Sequence, residues 1–442
     1  MQHPKDNYKL TIAQKIKKMR NHRGVSQQTL ADASIMHQKT VSRIENGTDE
    51  YSKDELKAIK NHLDIANMPL TEEECNTFRG RLYYWRDLIR NGRMTEAKVL
   101  QDELEKITNL DVLYFDLPTL YRIFEVLFLM TEISFSSEIE KDFNIIKEKM
   151  KYLEGILDEM NTEHRYHYNC QLGAFYSLQN DNEKALEHYN QALDIMKQNK
   201  DILPNEEATL YYNIAVCYTD LEKPNRALMF LNNIPKKQAG YVTTGYSLGV
   251  DITLAINLYR IGLYDEAEKV LLDCLEQAKG MNDKLYIGLV FHHLGILHKY
   301  AKNWEKSIEC SDQALSFFDE DTRYHAWALY FKIRCMMETG KLSALERELR
   351  QIALSFKKYP RYLVVLEALK YTIHLRRSMS RYDINAVTYL ENVAIPIFEK
   401  RSHSLEAIDC YKLLEEHFGR TSKQKKTLET RKKIIEIYER MV

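Results

Sequence analysis

Turn-forming residues are scarce in this chain: 15 glycines and 8 prolines in 442 residues. With leucine, glutamate, lysine and alanine spread throughout, that scarcity argues against folds built on many tight turns and predicts an all-helical protein. The seven cysteines (75, 170, 217, 274, 310, 335 and 410) are scattered singly, with no CxxC pair. Such a set excludes a disulfide framework and reads as reduced thiols in a helical core, so the cytoplasm is the expected compartment. No signal peptide and no apolar run near ~18 residues occurs, and no membrane contact is expected. Phosphate loops, dinucleotide fingerprints and metal signatures are also missing, so no cofactor, metal or enzymatic activity is expected. Nor is there a large charge excess: the net charge is −1. It is unevenly spread, however. Residues 1–66 hold 12 Lys and Arg against 8 Asp and Glu, a balance of +4 that leaves −5 for the remainder. A basic head on a mildly acidic body suits nucleic-acid binding by the head alone.

What is present begins with Val25 to Gly47, VSQQTLADASIMHQKTVSRIENG. Its period and caps predict two short helices joined by a tight turn. Ser26 can cap the first, with Leu30 and Ala31 inward. The second runs from about Gln38 to Asn46, buries Val41 and Ile44, and stops at Gly47. Gln38, Lys39, Ser42 and Arg43 are left on its outer face, all able to hydrogen-bond base edges in a major groove.

The stretch resembles the helix-turn-helix of Cro/C1-type repressors over roughly residues 8 to 65. The matching residues are Ser26-Gln27, Leu30-Ala31 and Thr40-Val41-Ser42-Arg43-Ile44-Glu45-Asn46-Gly47. The resemblance implies that Gln38, Lys39, Ser42 and Arg43 face bases, and that Ser26, Gln27 and Asn46 hold phosphates. It also implies an ion pair between Arg20 and Glu45. Ile35 departs from the pattern, standing where the family usually has a turn glycine.

Before this motif, Ile12, Ile16 and Met19 form one apolar stripe. After it, Ser52 and Glu55 make a capping box for a helix burying Leu56, Ile59 and Leu63. The head is expected to span residues 1–66, with a linker over 67–71 broken by Pro69. A repeat array is expected over 72–420. Ala97, Ala185, Ala227, Ala267, Ser307, Leu345 and Ala386 each open the second helix of a hairpin, and from Ala185 the spacings are 42, 40, 40, 38 and 41. Leu172-Gly173, Tyr176, Ala185, Tyr189 and Ala192 form the clearest unit. Leu294-Gly295 with Ala314 repeats it, and Gly92 to Ala97 and Gly262 to Ala267 repeat its turn. This is the tetratricopeptide pattern with a longer period of ~40 rather than ~34. Such hairpins stack into a right-handed superhelix with a concave face suited to an extended peptide. A helix from about Thr421, within 421–442, would cap the array.

Within the array, Leu210-Tyr211-Tyr212-Asn213-Ile214-Ala215-Val216-Cys217 stands out. Repeat phase places Tyr212 and Asn213 on the inner wall, where an Asn amide can both donate to and accept from a peptide backbone. The segment is similar to one in the Rap-like receptors. Head and array together resemble the RRNPP family (Rap-, NprR- and PlcR-like), the intracellular peptide-pheromone receptors of Gram-positive bacteria and their mobile elements. The resemblance implies that Asn213 holds the peptide backbone. The same phase turns Arg260, His293, Tyr330 and Arg334 inward on later repeats, with Asn257 near that wall but one step off the phase.

Three features suggest other chemistry and are set aside. Gly245-Tyr246-Ser247-Leu248-Gly249 matches G-x-S-x-G, but a nucleophile elbow needs a preceding strand, and a flexible joint between repeats is expected instead. His292, His293 and His298 have a spacing that does not converge three ligands on one ion. The basic cluster from Arg420 to Lys433 reads as a solvated helix face. The expected function is therefore a peptide-responsive transcriptional regulator of the quorum-sensing type. It would bind double-stranded operator DNA through the head as a homodimer, and a short linear signalling peptide in the repeat groove. The alternatives are a Rap-like protein that binds or dephosphorylates a response regulator, and a repeat scaffold.

Overall fold

The structure is a computed structural model and describes residues 12–48, 51–63, 72–108, 116–135, 139–199, 204–234, 244–320, 322–339, 363–377, 383–400 and 404–441. All of its regular structure among these residues is helical. The chain forms two compact units, one of residues 1–175 with 190–200 and one of residues 176–189 with 201–442. The division falls inside the repeats; the expected linker, 67–71, lies outside the described residues.

In unit one the head comprises α1 (Ile12–His22), α2 (Gln27–Ala33), α3 (Gln38–Asn46) and α4 (Lys53–His62). Ile16, Met19, Leu30, Val41, Ile44, Ile59 and Leu63 meet in one core at 1% exposure or less. Each such side chain stabilises the fold by roughly 1.5–3 kcal/mol of burial. The ends are set locally. Ser26 Oγ accepts from the Thr29 N–H at 3.0 Å, and Ser52 and Glu55 close a reciprocal capping box. Gly47 ends α3 at φ +70°.

The turn between α2 and α3 carries a cost. Ile35 adopts φ +54° and is 95% exposed. A β-branched residue in this left-handed region loses about 1–2 kcal/mol against glycine, and its side chain contributes no burial in return. Ile35→Gly is expected to stabilise the head by about 1 kcal/mol after glycine's larger unfolded-state entropy is allowed for. A urea titration reads the effect; an unchanged or lowered midpoint would show that the turn is not strained.

Unit one continues with α5 (Glu72–Arg90), α6 (Met94–Thr108), α7 (Asp116–Phe135) and α8 (Ile139–Gly155). Lys60 of α4 pairs with Glu74 of α5 at 2.9 Å. Ala97 is fully buried. Trp85 stacks on Tyr121 with ring centres 5.1 Å apart. Two helices, α9 (Thr162–Leu178) and α10 (Asn182–Gln198), are each divided between the units.

Unit two is a succession of hairpins: α11 (Pro204–Asp220) with α12 (Pro224–Asn232), α13 (Thr244–Arg260) with α14 (Tyr264–Gly280), and α15 (Lys284–Tyr300) with α16 (Trp304–Phe317). Next come α17 (Arg323–Glu338), α18 (Leu363–Arg377), α19 (Ile384–Tyr389), a π-helical turn (Leu390–Ala394) and α20 (Ile395–Lys400). The last pair is α21 (Ser404–Arg420) with α22 (Gln424–Met441). Ala185, Ala227, Ala267 and Ala386 have no exposed surface and Ser307 has 1%; Ala227, Ala267 and Ser307 lie where the two helices of a hairpin pack together. Leu345 lies outside the described residues. At the Gly295 crossing a Cβ would stand 3.3 Å from the Ser307 carbonyl oxygen, so the sequence places glycine where backbone approaches backbone.

Candidate functional site

Two regions can bind. The first is the outer face of α3. Gln38, Lys39, Arg43 and Asn46 are exposed and Ser42 is half-buried, while Val41 and Ile44 on the opposite face anchor the helix. Glu45 lies beneath, wholly buried at its side chain. Its Oε1 accepts from Arg20 Nε at 2.6 Å, and its Oε2 accepts from Arg20 Nη2 at 3.0 Å and from Gln27 Nε2 at 2.7 Å. Arg20 Nη1 also donates to the Val25 carbonyl at 2.8 Å. One carboxylate thus ties α1, α2 and α3 together and fixes the angle of α3. Two residues expected at phosphates are engaged internally: the Gln27 amide is spent on Glu45 and the Ser26 hydroxyl on its cap.

The second region is a cavity of about 280 Å³ in unit two, walled by α11, α13 and α15. Its walls are apolar at Val216, Ile252, Ile256 and Leu289, and polar at Tyr212, Asp220, Thr253, Tyr286 and His293. Gly249 also lines it, and a Cβ there would stand 3.0 Å from the Tyr212 hydroxyl. The G-x-S-x-G stretch therefore lies within one unbroken helix, α13, and its second glycine makes room for Tyr212. It is neither an elbow nor a joint.

Asn213 is half-buried on α11, two turns before Asp220 along the same flank, and its amide makes no hydrogen bond with the described residues. Asp220 is hemmed in by protein yet open to the cavity. Crowding raises its carboxyl to about 6, opposed by the charge of Arg260 and a hydrogen bond from Asn182. Arg260 donates through Nη1 to the Thr219 carbonyl. Burial holds His293 well below its ordinary value, aided by His292 and Arg260, and pushes His292 down to about 4; both rings are neutral at physiological pH.

Asn257 does not face this wall. It has no exposed surface, and its Nδ2 donates to Thr219 Oγ1 at 2.7 Å and to the Thr253 carbonyl at 2.8 Å. The one-residue offset turns it into the α11–α13 crossing, where it acts as a structural tie; the expectation that it contacts a ligand is corrected. Tyr330 is likewise only 3% exposed, and its hydroxyl accepts from Arg334 Nη1 at 2.8 Å. Arg334 pairs with Asp409 of α21. Both line a second cavity of about 210 Å³, with Glu406 and Thr372. Asp220, Thr253 and Tyr286 in the first cavity and Asp409 in the second were not expected from the sequence; only the folded arrangement marks them.

The histidines do not gather round an ion. His292 and His293 meet edge to face, whereas His298 turns to Glu268. Among the described residues, Asp116, Glu163 and His164 could converge on a metal. Arg79 already bonds both carboxylates, so a guanidinium occupies the place of a cation there. All seven cysteines are free, and no described helix is long and apolar enough to cross a membrane.

A helix-turn-helix family model matches residues 16–66, and a tetratricopeptide repeat model matches residues 165–233. No curated protein matches the chain in sequence. A solved structure of a Rap protein complexed with competence and sporulation factor is 16% identical, covering 83% of this chain and 99% of that one, with a TM-score of 0.69. The apo form of the quorum sensor NprR from B. thuringiensis is 18% identical, covering 82% and 99%, with a TM-score of 0.65. NprR in complex with its cognate peptide NprX is 17% identical, with the same coverage and TM-score. The fold is that of the Rap and NprR structures. The head supplies the exposed face of α3 and the repeats supply the cavity, which Tyr212 lines and Asn213 does not.

Proposed function

We propose that this chain is a peptide-gated transcriptional regulator. The observation that carries the reading is the exposed polar face of α3, held at a fixed angle by the buried Arg20–Glu45 pair. A scaffold has no use for Gln38, Lys39 and Arg43 on such a helix. The head reads a half-site in the major groove, and a homodimer reads two half-sites about 34–36 Å apart or a multiple of that. A short linear peptide occupies the cavity of unit two, its backbone held by Asn213, as NprR holds a cognate peptide. The peptide gates the head by binding the DNA-competent and incompetent arrangements unequally, by about 1–3 kcal/mol.

The test is DNA binding by the full chain to its own upstream region, with and without synthetic peptides from the neighbouring small open reading frame. A sequence-specific complex that a peptide strengthens or dissolves supports the reading. Peptide binding without any DNA complex would move the function to a protein partner, as for a Rap-like protein. Within the complex, Arg43→Ala is expected to weaken operator binding by about 1–3 kcal/mol, roughly fivefold to 150-fold, the worth of one bidentate base contact. Because Arg43 is exposed, the melting curve should not move. Unchanged affinity in a gel-shift titration would remove α3 from the role of recognition helix.

A further inference from the structure

The cavity walled by α11, α13 and α15 is too small for a peptide and well sized for one side chain. An apolar cavity of about 150 Å³ holds a single benzene ring. At about 280 Å³ this one has room for one large aromatic side chain with a polar tip, and none for several residues of backbone. Its walls suit such a ring: Val216, Ile252, Ile256 and Leu289 are apolar, with Tyr286 among them. Tyr212 lines the cavity and Asn213 does not, so a backbone held at Asn213 runs outside it and one side chain is what enters. Gly249 keeps the space open, since a Cβ there would stand 3.0 Å from the Tyr212 hydroxyl and crowd that ring.

The polar groups decide which tip fits. Thr219 Oγ1 donates to the Ala215 carbonyl at 2.8 Å and accepts from Asn257 Nδ2 at 2.7 Å. Thr253 Oγ1 donates to the Gly249 carbonyl at 2.8 Å, and the Tyr212 hydroxyl is hydrogen-bonded to Thr253. These hydroxyls are committed to the helices. Asp220 differs: it is exposed to the cavity, takes a hydrogen bond from Asn182, and keeps acceptor sites on its carboxylate. A ligand group that reaches it must therefore be a donor. Positive charge is already supplied there by Arg260, whose Nη1 donates to the neighbouring Thr219 carbonyl and whose charge acts on Asp220. A second cation would be desolvated beside that guanidinium, whereas a neutral O–H or N–H carries no such penalty. We propose that this cavity is a subsite for one tyrosine or tryptophan side chain of the peptide, with Asp220 accepting from its O–H or N–H, an assignment that rests on the peptide-receptor reading above.

Affinity selection on the full chain tests the subsite. The probe is a pool of random synthetic heptapeptides, and retained sequences are read by mass spectrometry. Retained peptides should carry tyrosine or tryptophan at one fixed position. Resynthesised with alanine there, they should bind about tenfold to a hundredfold more weakly, the worth of one buried aromatic side chain. With phenylalanine there, the loss should be about twofold to tenfold, the worth of one hydrogen bond. Asp220→Leu should erase the difference between tyrosine and phenylalanine and keep that between phenylalanine and alanine. Leu289→Trp, which fills the cavity from α15, should erase both differences while weak peptide binding persists. Selection of arginine or lysine at the fixed position overturns the proposal and makes Asp220 a counter-charge. Phenylalanine equal to tyrosine in the wild-type chain overturns the role of Asp220. Retained peptides that share no side chain overturn the subsite and leave the receptor reading standing. Retention of nothing overturns the receptor reading itself.

Discussion

Glu45→Ala is expected to unfold the head and leave the repeats helical. The carboxylate has no exposed surface and serves three donors from Arg20 and Gln27. Removing it strands an arginine whose side chain is only 11% exposed, and breaking a buried pair in this way costs about 3–5 kcal/mol. A head of this length has a total stability of roughly 3–8 kcal/mol, so the loss is comparable to the whole. The measurement is a urea titration followed by circular dichroism. Wild type should show a transition for the head that the variant lacks, and the variant should bind no operator DNA. A paired replacement, Arg20→Met with Glu45→Leu, should recover most of the stability, because well-packed apolar residues replace such pairs at little cost. A loss below about 1 kcal/mol for Glu45→Ala would mean that solvent screens the pair as it does on a surface.

The parts legible in the sequence are those governed by local rules. Ser26, Gly47 and the Ser52–Glu55 box act within a few residues of themselves, and each sits where its spacing implies. The crossing residues were legible for a related reason: Ala227, Ala267 and Ser307 recur because each hairpin repeats the same close approach. The cavity wall is different. Asp220, Thr253 and Tyr286 belong to three helices and meet only because the hairpins stack, so no local period announces them. Asn257 shows how sharp the phase is. A helix turns by about 100° per residue, so one step off the inward stripe carries a side chain to its flank. Asn257 is there taken into the crossing with α11. Ile35 makes the opposite point. Its side chain disfavours the left-handed turn, yet the packing of Leu30 and Val41 on either side holds the turn in place.

Asn213→Ala should remove the response to peptide while leaving the array folded and the head bound to DNA. Asn213 is half-buried, and its amide is uncommitted among the described residues, so its loss takes away no internal hydrogen bond. The small stability change expected on that ground separates it from Asn257, whose Nδ2 ties α13 to α11 and whose replacement should lower the melting midpoint. On the proposed function, the Asn213 amide would donate to one backbone carbonyl of the peptide and accept from one N–H. Alanine would leave both groups desolvated and unpaired, costing about 2–4 kcal/mol in total, roughly thirtyfold to a thousandfold in the dissociation constant. Fluorescence anisotropy with a labelled peptide measures that constant, and a gel shift on the same sample measures whether peptide still alters the DNA complex. The two readouts must move together. If the gate works through unequal binding to two arrangements, a peptide that no longer binds cannot shift their balance. Normal affinity in the variant would take the peptide away from Asn213. Lost affinity with an intact DNA response would show instead that the signal enters elsewhere on the chain.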